Sequence, residues 1–149
     1  MIEHGKIAED LFRQGYNCAQ SVLLAFSDIT GLDDTTAAML ASSFGGGLSR
    51  MREVCGAVSG AAMVLGIVKG YSDPTDHHAK KAHYHLVQEF ARRFKERNGS
   101  IVCRELLAGA DASVGGDPAE RTEAYYKKRP CPKLVRIAAE ITDDLLNSP

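Results

Sequence analysis

Cys18, Cys55, Cys103 and Cys131 are the residues whose type and placement point most directly to chemistry. They lie 37, 48 and 28 positions apart, so no two form the C-x-x-C pair of a zinc ribbon or a thioredoxin-type dithiol. A site built from them has to be assembled by tertiary folding. Each one falls at or near a predicted helix start. Cys18 follows Asn17, an N-cap residue, and Cys103 follows a Ser100 cap. Cys131 stands between Pro130 and Pro132, which places it at an N-cap, while Cys55 follows a 49–52 segment that could already be helical. Unpaired N–H groups and the positive end of the helix dipole favour thiolate over thiol at such positions. Arg50 and Arg52 precede Cys55, Arg104 follows Cys103, and Lys127, Lys128, Arg129 and Lys133 surround Cys131. Positive charge there depresses a thiol pKa and offsets the charge of a four-thiolate centre. The chemistry indicated is redox or metal binding.

The elements that would position these thiols read as helices almost throughout. Ile7, Leu11 and Phe12 mark a first amphipathic helix that stops at Gly15. Asn17 with Gln20 three positions on forms a variant capping box for a second helix carrying Cys18, Val22, Leu23 and Phe26. A third is expected to start after Asp33 or Asp34 and run to Ser43, before the tight-turn segment Gly45-Gly46-Gly47. Residues 54–68 read as a buried helix. In it, Gly56 and Gly60, like Ala57 and Ala61, present a small surface to a close neighbour. The stripe Ala79, His83, Leu86, Val87, Phe90 and Phe94 predicts a helix over 75–97, with a stop at Asn98-Gly99. A short helix is expected over 100–107, a loop over 109–116, and a last helix from Cys131 with Leu134, Ile137, Ala138, Ile141 and Leu145 on its apolar face. The expected fold is a single-domain all-α helical bundle of about seven helices spanning residues 1–149.

Composition narrows the function. A net charge of −1 gives no reason to expect nucleic acid or an anionic membrane as partner. The N-terminus carries Glu3, Glu9 and Asp10 and no apolar signal core. The longest weakly polar run, 54–68, is 15 residues with three glycines, whereas a bilayer span takes about 20. The expectation is a cytoplasmic protein without membrane insertion. Stable disulfide frameworks are rare in that compartment, so the four cysteines read as chemistry rather than staples.

Other residues carry less. His77, His78 and His85 read as a solvated polar face, and His83, on the apolar stripe, as a satisfied core histidine. Ser59 does not sit in G-x-S-x-G, and Gly45-Gly46-Gly47 lacks the Lys-Ser/Thr of a phosphate loop. Those glycines are better suited to letting the backbone pass close to the cysteine site. No cysteine is singled out by a histidine, as a cysteine hydrolase would require.

Several segments together resemble one family. These are Tyr16-Asn17-Cys18-Ala19-Gln20-Ser21-Val22-Leu23, the three glycines from Gly45, and Cys55-Gly56-Ala57-Val58-Ser59-Gly60-Ala61. They continue with Phe90 to Phe94, Cys103-Arg104-Glu105-Leu106-Leu107, and Cys131 leading into Val135-Arg136-Ile137-Ala138-Ala139-Glu140. In this order, from about residue 10 to residue 145, they resemble the redox-active family named for its C…GCAxxG…C…C pattern, whose core reads CGAxxG here. The resemblance implies four functional cysteines, redox activity and no settled substrate. The domain is also similar to the non-haem part of split-Soret c-type cytochromes, which implies that four cysteines can hold an iron–sulfur centre. With no C-x-x-C-H in the chain, no covalent haem is expected.

Three functions follow. In the first, Cys18, Cys55, Cys103 and Cys131 ligate an iron–sulfur cluster, [2Fe–2S] in preference, for electron transfer to an unidentified redox partner. In the second, the same cysteines cycle between dithiol and disulfide. In the third, they hold structural zinc in a non-catalytic module, a reading weakened by the missing C-x-x-C hooks. All three require the four sulfurs to share one pocket, with Gly56, Ala57 and Gly60 expected to line it.

Overall fold

The structure, a computed structural model, describes residues 2–108 and 110–148. Met1, Gly109 and Pro149, and with Gly109 the first position of the expected 109–116 loop, lie outside the described residues. Among the described residues the chain forms nine regular α-helices, a 3-10 turn over Ser42–Phe44 followed by an irregular turn over Gly45–Leu48, and no strand. They are α1 (His4–Arg13), α2 (Cys18–Ala25), α3 (Ser27–Thr30), α4 (Asp34–Ala41), α5 (Gly56–Lys69), α6 (His77–Asn98), α7 (Cys103–Leu106), α8 (Glu123–Lys128) and α9 (Cys131–Leu146). The all-α expectation holds. The helices beyond the expected seven are short ones, α3 and α8, that have too few turns to show a periodic stripe.

Local chemistry explains where the longer helices begin. Asn17 Oδ1 accepts from the Gln20 N–H at 2.8 Å while Gln20 Oε1 accepts from the Asn17 N–H at 3.0 Å, a complete capping box. Asp33 accepts from the Thr36 N–H and Asp76 from the Ala79 N–H, both at 3.0 Å. Pro130 (φ −76°, ψ −5°) has a helix-compatible φ, and its carbonyl accepts from the N–H groups of Lys133 and Leu134. Pro130 is therefore the N-cap of α9, and Cys131 is the first helical residue rather than the cap itself.

The core is built from α1, α2, α5 and α9, with α6 contributing Phe90 and Phe94. Phe12, Phe26, Phe90 and Phe94 are fully buried alongside Leu23 and Leu65. Each such side chain contributes roughly 1.5–3 kcal/mol relative to exposure. Close approach of α2 to α5 depends on Gly60. A Cβ there would stand 2.6 Å from the Ala19 carbonyl oxygen, well inside a van der Waals contact. This is the small-residue contact that the Gly56/Gly60 spacing predicts.

Three expectations need correction. The helix read from residue 54 starts at Gly56, because 53–55 is extended and meets 101–103 through an isolated antiparallel bridge between Val54 and Val102. The helix read over 100–107 is a single turn from Cys103, since Ser100 Oγ accepts from the Val102 N–H at 2.9 Å and so caps a turn upstream of it. His83 is only partly buried and its Nδ1 has no hydrogen-bond partner, so it is not a satisfied core histidine. His77, His78 and His85 are exposed.

His4, unremarked by periodicity, is the buried histidine. Its Nδ1 lies 2.8 Å from Asp143, its Nε2 lies 3.0 Å from Asp28, and its ring stacks on Phe26 at 4.1 Å. It ties together α1, α3 and α9. Among the described residues no helix is long and apolar enough to cross a membrane.

Candidate functional site

All four cysteines stand at helix starts. Cys18, Cys103 and Cys131 are the first residues of α2, α7 and α9, and Cys55 is the N-cap of α5. The bridge between Val54 and Val102 aligns two of them. The Cys55 N–H donates to the Ile101 carbonyl at 2.8 Å, and the Cys103 N–H donates to the Glu53 carbonyl at 2.6 Å. Side chains alternate in extended backbone, so Cys55 and Cys103 fall on the face opposite Val54, which is exposed.

Two glycines let the other elements close on this pair. A Cβ at Gly56 would stand 3.0 Å from the Cys18 Cβ and 2.8 Å from the Phe44 carbonyl oxygen. A Cβ at Gly47 would stand 2.7 Å from the Cys103 Cβ. Gly46 and Gly47 are left-handed (φ 67° and 68°), and the left-handed backbone continues through Leu48, Ser49, Arg50 and Arg52 (φ 67°, 49°, 66° and 62°). Such a conformation costs roughly 1–2 kcal/mol for each residue with a side chain. The turn is held by backbone N–H donation from Arg52 to the Gly46 carbonyl and from Glu53 to the Gly47 carbonyl, at 3.1 and 2.9 Å. The Arg50 and Arg52 side chains clamp it to the 113–115 segment. Strain held this way accompanies functional sites.

All four cysteines border one cavity of about 50 Å³, measured as the volume open to the centres of water-sized molecules. All four are free thiols; Cys55, Cys103 and Cys131 are buried and Cys18 partly so. Of the three small residues expected to line the cavity, Gly56 does. Ala57 is packed in the core and Gly60 faces α2. One helical turn turns them away from the cavity.

Three arginines complete the wall. Arg52, only 2% exposed, donates Nη1 to Cys103 Sγ at 3.8 Å and Nε to the Ser113 carbonyl at 3.0 Å. Arg129 is buried over the Tyr125 ring and donates to the Asp111 carbonyl at 2.8 Å. Arg121 lies over Phe12, 4.2 Å from the ring centre, and donates to the carbonyls of Phe12 and Tyr16. The cations the sequence places beside the cysteines divide accordingly. Arg52 and Arg129 reach the cavity, whereas Arg104 pairs with Glu53 outside it and Lys127, Lys128 and Lys133 are exposed. Arg121 gave no signal, because it is ten positions from the nearest cysteine and lies in no periodic stripe.

These surroundings treat the thiols unequally. Cys131 is held down to about 7, chiefly by a hydrogen bond from the Cys18 thiol and then, against its burial, by Arg129, Arg121 and Arg52. Cys18, donating in that bond and buried as well, is pushed well up. Burial pushes Cys55 up to about 12 despite the N–H groups of Ala57 and Val58. Cys103 is also raised by burial, with Arg52 opposing. The arrangement supplies one thiolate near neutral pH and three further thiols in the same cavity. Among the described residues no three of His, Cys, Asp or Glu already stand as a metal-ligand set.

No curated protein matches the chain, and no solved structure does. A family model described as "Putative redox-active protein (C_GCAxxG_C_C)" matches residues 16–145, a span that contains all four cysteines and every element bordering their cavity except α1. With the match covering most of its length, the chain belongs to this C_GCAxxG_C_C family of redox-active proteins.

Proposed function

We propose that this protein carries out thiol–disulfide redox chemistry, with Cys131 as the attacking thiolate and Cys18 as the resolving thiol. The observation that carries the reading is that Cys18 and Cys131, each the first residue of a helix, border one cavity with Arg52, Arg121 and Arg129, where Cys131 is held down to about 7 while the other three thiols are raised. A thiolate with pKa near ambient pH combines a large ionised fraction with useful nucleophilicity. In the forward direction Cys131 Sγ attacks one sulfur of a disulfide substrate, forming a mixed disulfide as the substrate S–S bond breaks and its other half leaves as a thiolate. Cys18 then gives its proton to that departing thiolate and attacks Cys131 Sγ, which expels the second half as a thiolate. The protein is left with a Cys18–Cys131 disulfide and the substrate has gained two electrons. Arg52, Arg121 and Arg129 stabilise the Cys131 thiolate before it attacks.

A second reading draws on a different observation, the convergence of four thiols and three guanidinium groups on one cavity. The donor chemistry fits an all-thiolate iron–sulfur centre, with Cys18, Cys55, Cys103 and Cys131 as ligands, although the thiols would have to move into a ligand set. When bound, such a centre would supply one-electron transfer, and the arginines would offset its negative charge.

The deciding experiment is anaerobic purification, with iron, sulfide and thiol analysis, followed by redox titration against a glutathione or dithiothreitol buffer. The dithiol reading expects colourless protein with four titratable thiols and a two-electron couple that consumes two of them, mapped to Cys18 and Cys131. It fails if no couple appears between the potentials of the two buffers. Brown protein with iron and labile sulfide replaces it with the second reading.

A further inference from the structure

A second, larger cavity opens beside the cysteine cavity, with about 470 Å³ open to the centres of water-sized molecules. That is within the usual size range of a small-molecule site, some hundreds of Å³. The two cavities share a wall made of Asn17, Gly46, Arg52, Arg121, Tyr125 and Arg129. Arg50 joins them on the outer side, so four guanidinium groups border the outer cavity, and among its lining residues there is no carboxylate.

The charge pattern of the remaining arginines shows that this is unusual within the molecule. Arg13, Arg92, Arg93, Arg97, Arg104 and Arg136 each pair with a carboxylate. Among the described residues, Arg50, Arg52, Arg121 and Arg129 form no ion pair at all. Their donors go instead to backbone carbonyls, a serine hydroxyl, a tyrosine hydroxyl and a cysteine sulfur. Asp111 is near enough to feel Arg129 and Arg50, yet it is within ion-pair distance of neither. A separate observation marks the inner end. Arg52 is 98% buried (2% exposed), and its Nη2 has no hydrogen-bond partner. Leaving a buried cationic donor unmatched is costly, and an arriving anion would relieve it.

We infer that the outer cavity binds the anionic end of a small-molecule substrate, a carboxylate or phosphate group held by Arg50, Arg52 and Arg129 beside the cysteine cavity. Planar guanidinium forks match both oxyanions in bidentate fashion. The site deepens the thiol–disulfide reading by giving its disulfide substrate a negative charge, but anion binding does not depend on that reading and is measured without any redox step.

The test is isothermal titration calorimetry of the reduced full-length protein with inorganic phosphate and, separately, succinate, each at an ionic strength matched with sodium chloride. Saturable one-to-one binding of either ion is expected, and the tighter of the two identifies whether phosphate or carboxylate is the favoured group. The variants Arg50→Gln and Arg129→Gln should each weaken binding about tenfold, the loss expected of one charged hydrogen bond of roughly 1.4 kcal/mol. Arg92→Gln, on an exposed ion pair, should leave it unchanged. If either glutamine variant fails to fold, Arg50→Lys serves in its place and should retain the charge while losing the fork, with a loss of several-fold. Binding no stronger than that of chloride, or a loss in Arg92→Gln equal to the others, overturns the inference. Failure of the two-electron couple with phosphate or succinate binding intact overturns the thiol reading and leaves the anion site standing.

Discussion

Gly47 stands where Cys103 needs it to have no side chain. A Cβ on Gly47 would lie 2.7 Å from the Cys103 Cβ and 2.6 Å from the Glu53 backbone nitrogen, in a residue whose φ is +68°. Contacts that short cannot be accommodated without moving either the extended 53–55 segment or the start of α7.

Gly47→Ala should therefore destabilise the protein by about 2–4 kcal/mol, combining the left-handed penalty with overpacking. Urea unfolding monitored by circular dichroism measures this. Gly116→Ala is the control for backbone conformation alone, because Gly116 is also left-handed but a Cβ there meets nothing within 4 Å. Its cost should stay near 1–2 kcal/mol. Equal losses in the two variants would show that the approach of Cys103 is not what Gly47 protects.

The thiols should react in a fixed order with pH. Cys131, held down to about 7, should be alkylated by iodoacetamide with a midpoint near pH 7, while Cys55, pushed up to about 12, should stay inert at pH 9. The sign follows from the ionised form being the nucleophile, so the rate rises as pH climbs through the pKa. Cys18→Ala removes the hydrogen bond that stabilises the thiolate and should slow Cys131 alkylation at pH 7 about tenfold. Peptide mapping by mass spectrometry reads each site. Unchanged Cys131 reactivity in Cys18→Ala would remove the proposed pairing.

Much of this arrangement is legible in the residues, and the illegible part has physical causes. Asn17 with Gln20, Asp33 and the prolines around Cys131 mark helix starts because capping is a local interaction among neighbours in sequence. Gly15 and Gly99 mark helix ends for the same reason, and both are left-handed. The Val54–Val102 bridge joins residues 48 positions apart and is one residue pair long, too short to print an alternating pattern. The left-handed run through Leu48, Ser49, Arg50 and Arg52 is hidden because none of these residue types favours that conformation. It exists through tertiary clamps to 113–115. Arg121 and His4 escaped for a related reason: each acts through partners more than twenty positions away, at Phe12 and Tyr16 and at Asp28 and Asp143.

Arg52 links the turn, the thiols and the 113–115 segment, so its removal should have separable effects. Arg52→Met keeps most of the buried volume but loses the donors to Cys103 Sγ and to the Ser113 carbonyl. A loss of about 2–3 kcal/mol is expected, of the size of two hydrogen bonds from a charged donor with partial relief from the unmatched Nη2. Cys103 should also become less reactive toward iodoacetamide, because the guanidinium opposes its burial. Lost stability with unchanged Cys103 reactivity would assign Arg52 to the turn alone.

His4 provides a prediction far from the thiols. Its ring joins Asp28 and Asp143 and stacks on Phe26, so His4→Ala opens a cavity and leaves two carboxylates facing each other without a donor. The expected cost at pH 7 is about 2–4 kcal/mol. The pH dependence separates the two contributions. Asp143 already has a raised pKa, first because burial disfavours its charge, with His4 opposing the rise. Without His4 the pKa climbs further, so a carboxyl whose folded pKa exceeds its unfolded value stabilises the fold when protonated, and that contribution is lost as pH rises through the folded pKa. The deficit of the variant should therefore shrink as pH falls through the carboxylate range and just above it, leaving only the packing loss against Phe26. Urea midpoints of wild type and His4→Ala from pH 7 to pH 4 give the difference directly. A deficit that stays constant over that range would mean that His4 acts through packing alone and that the carboxylates on α3 and α9 gain nothing from it.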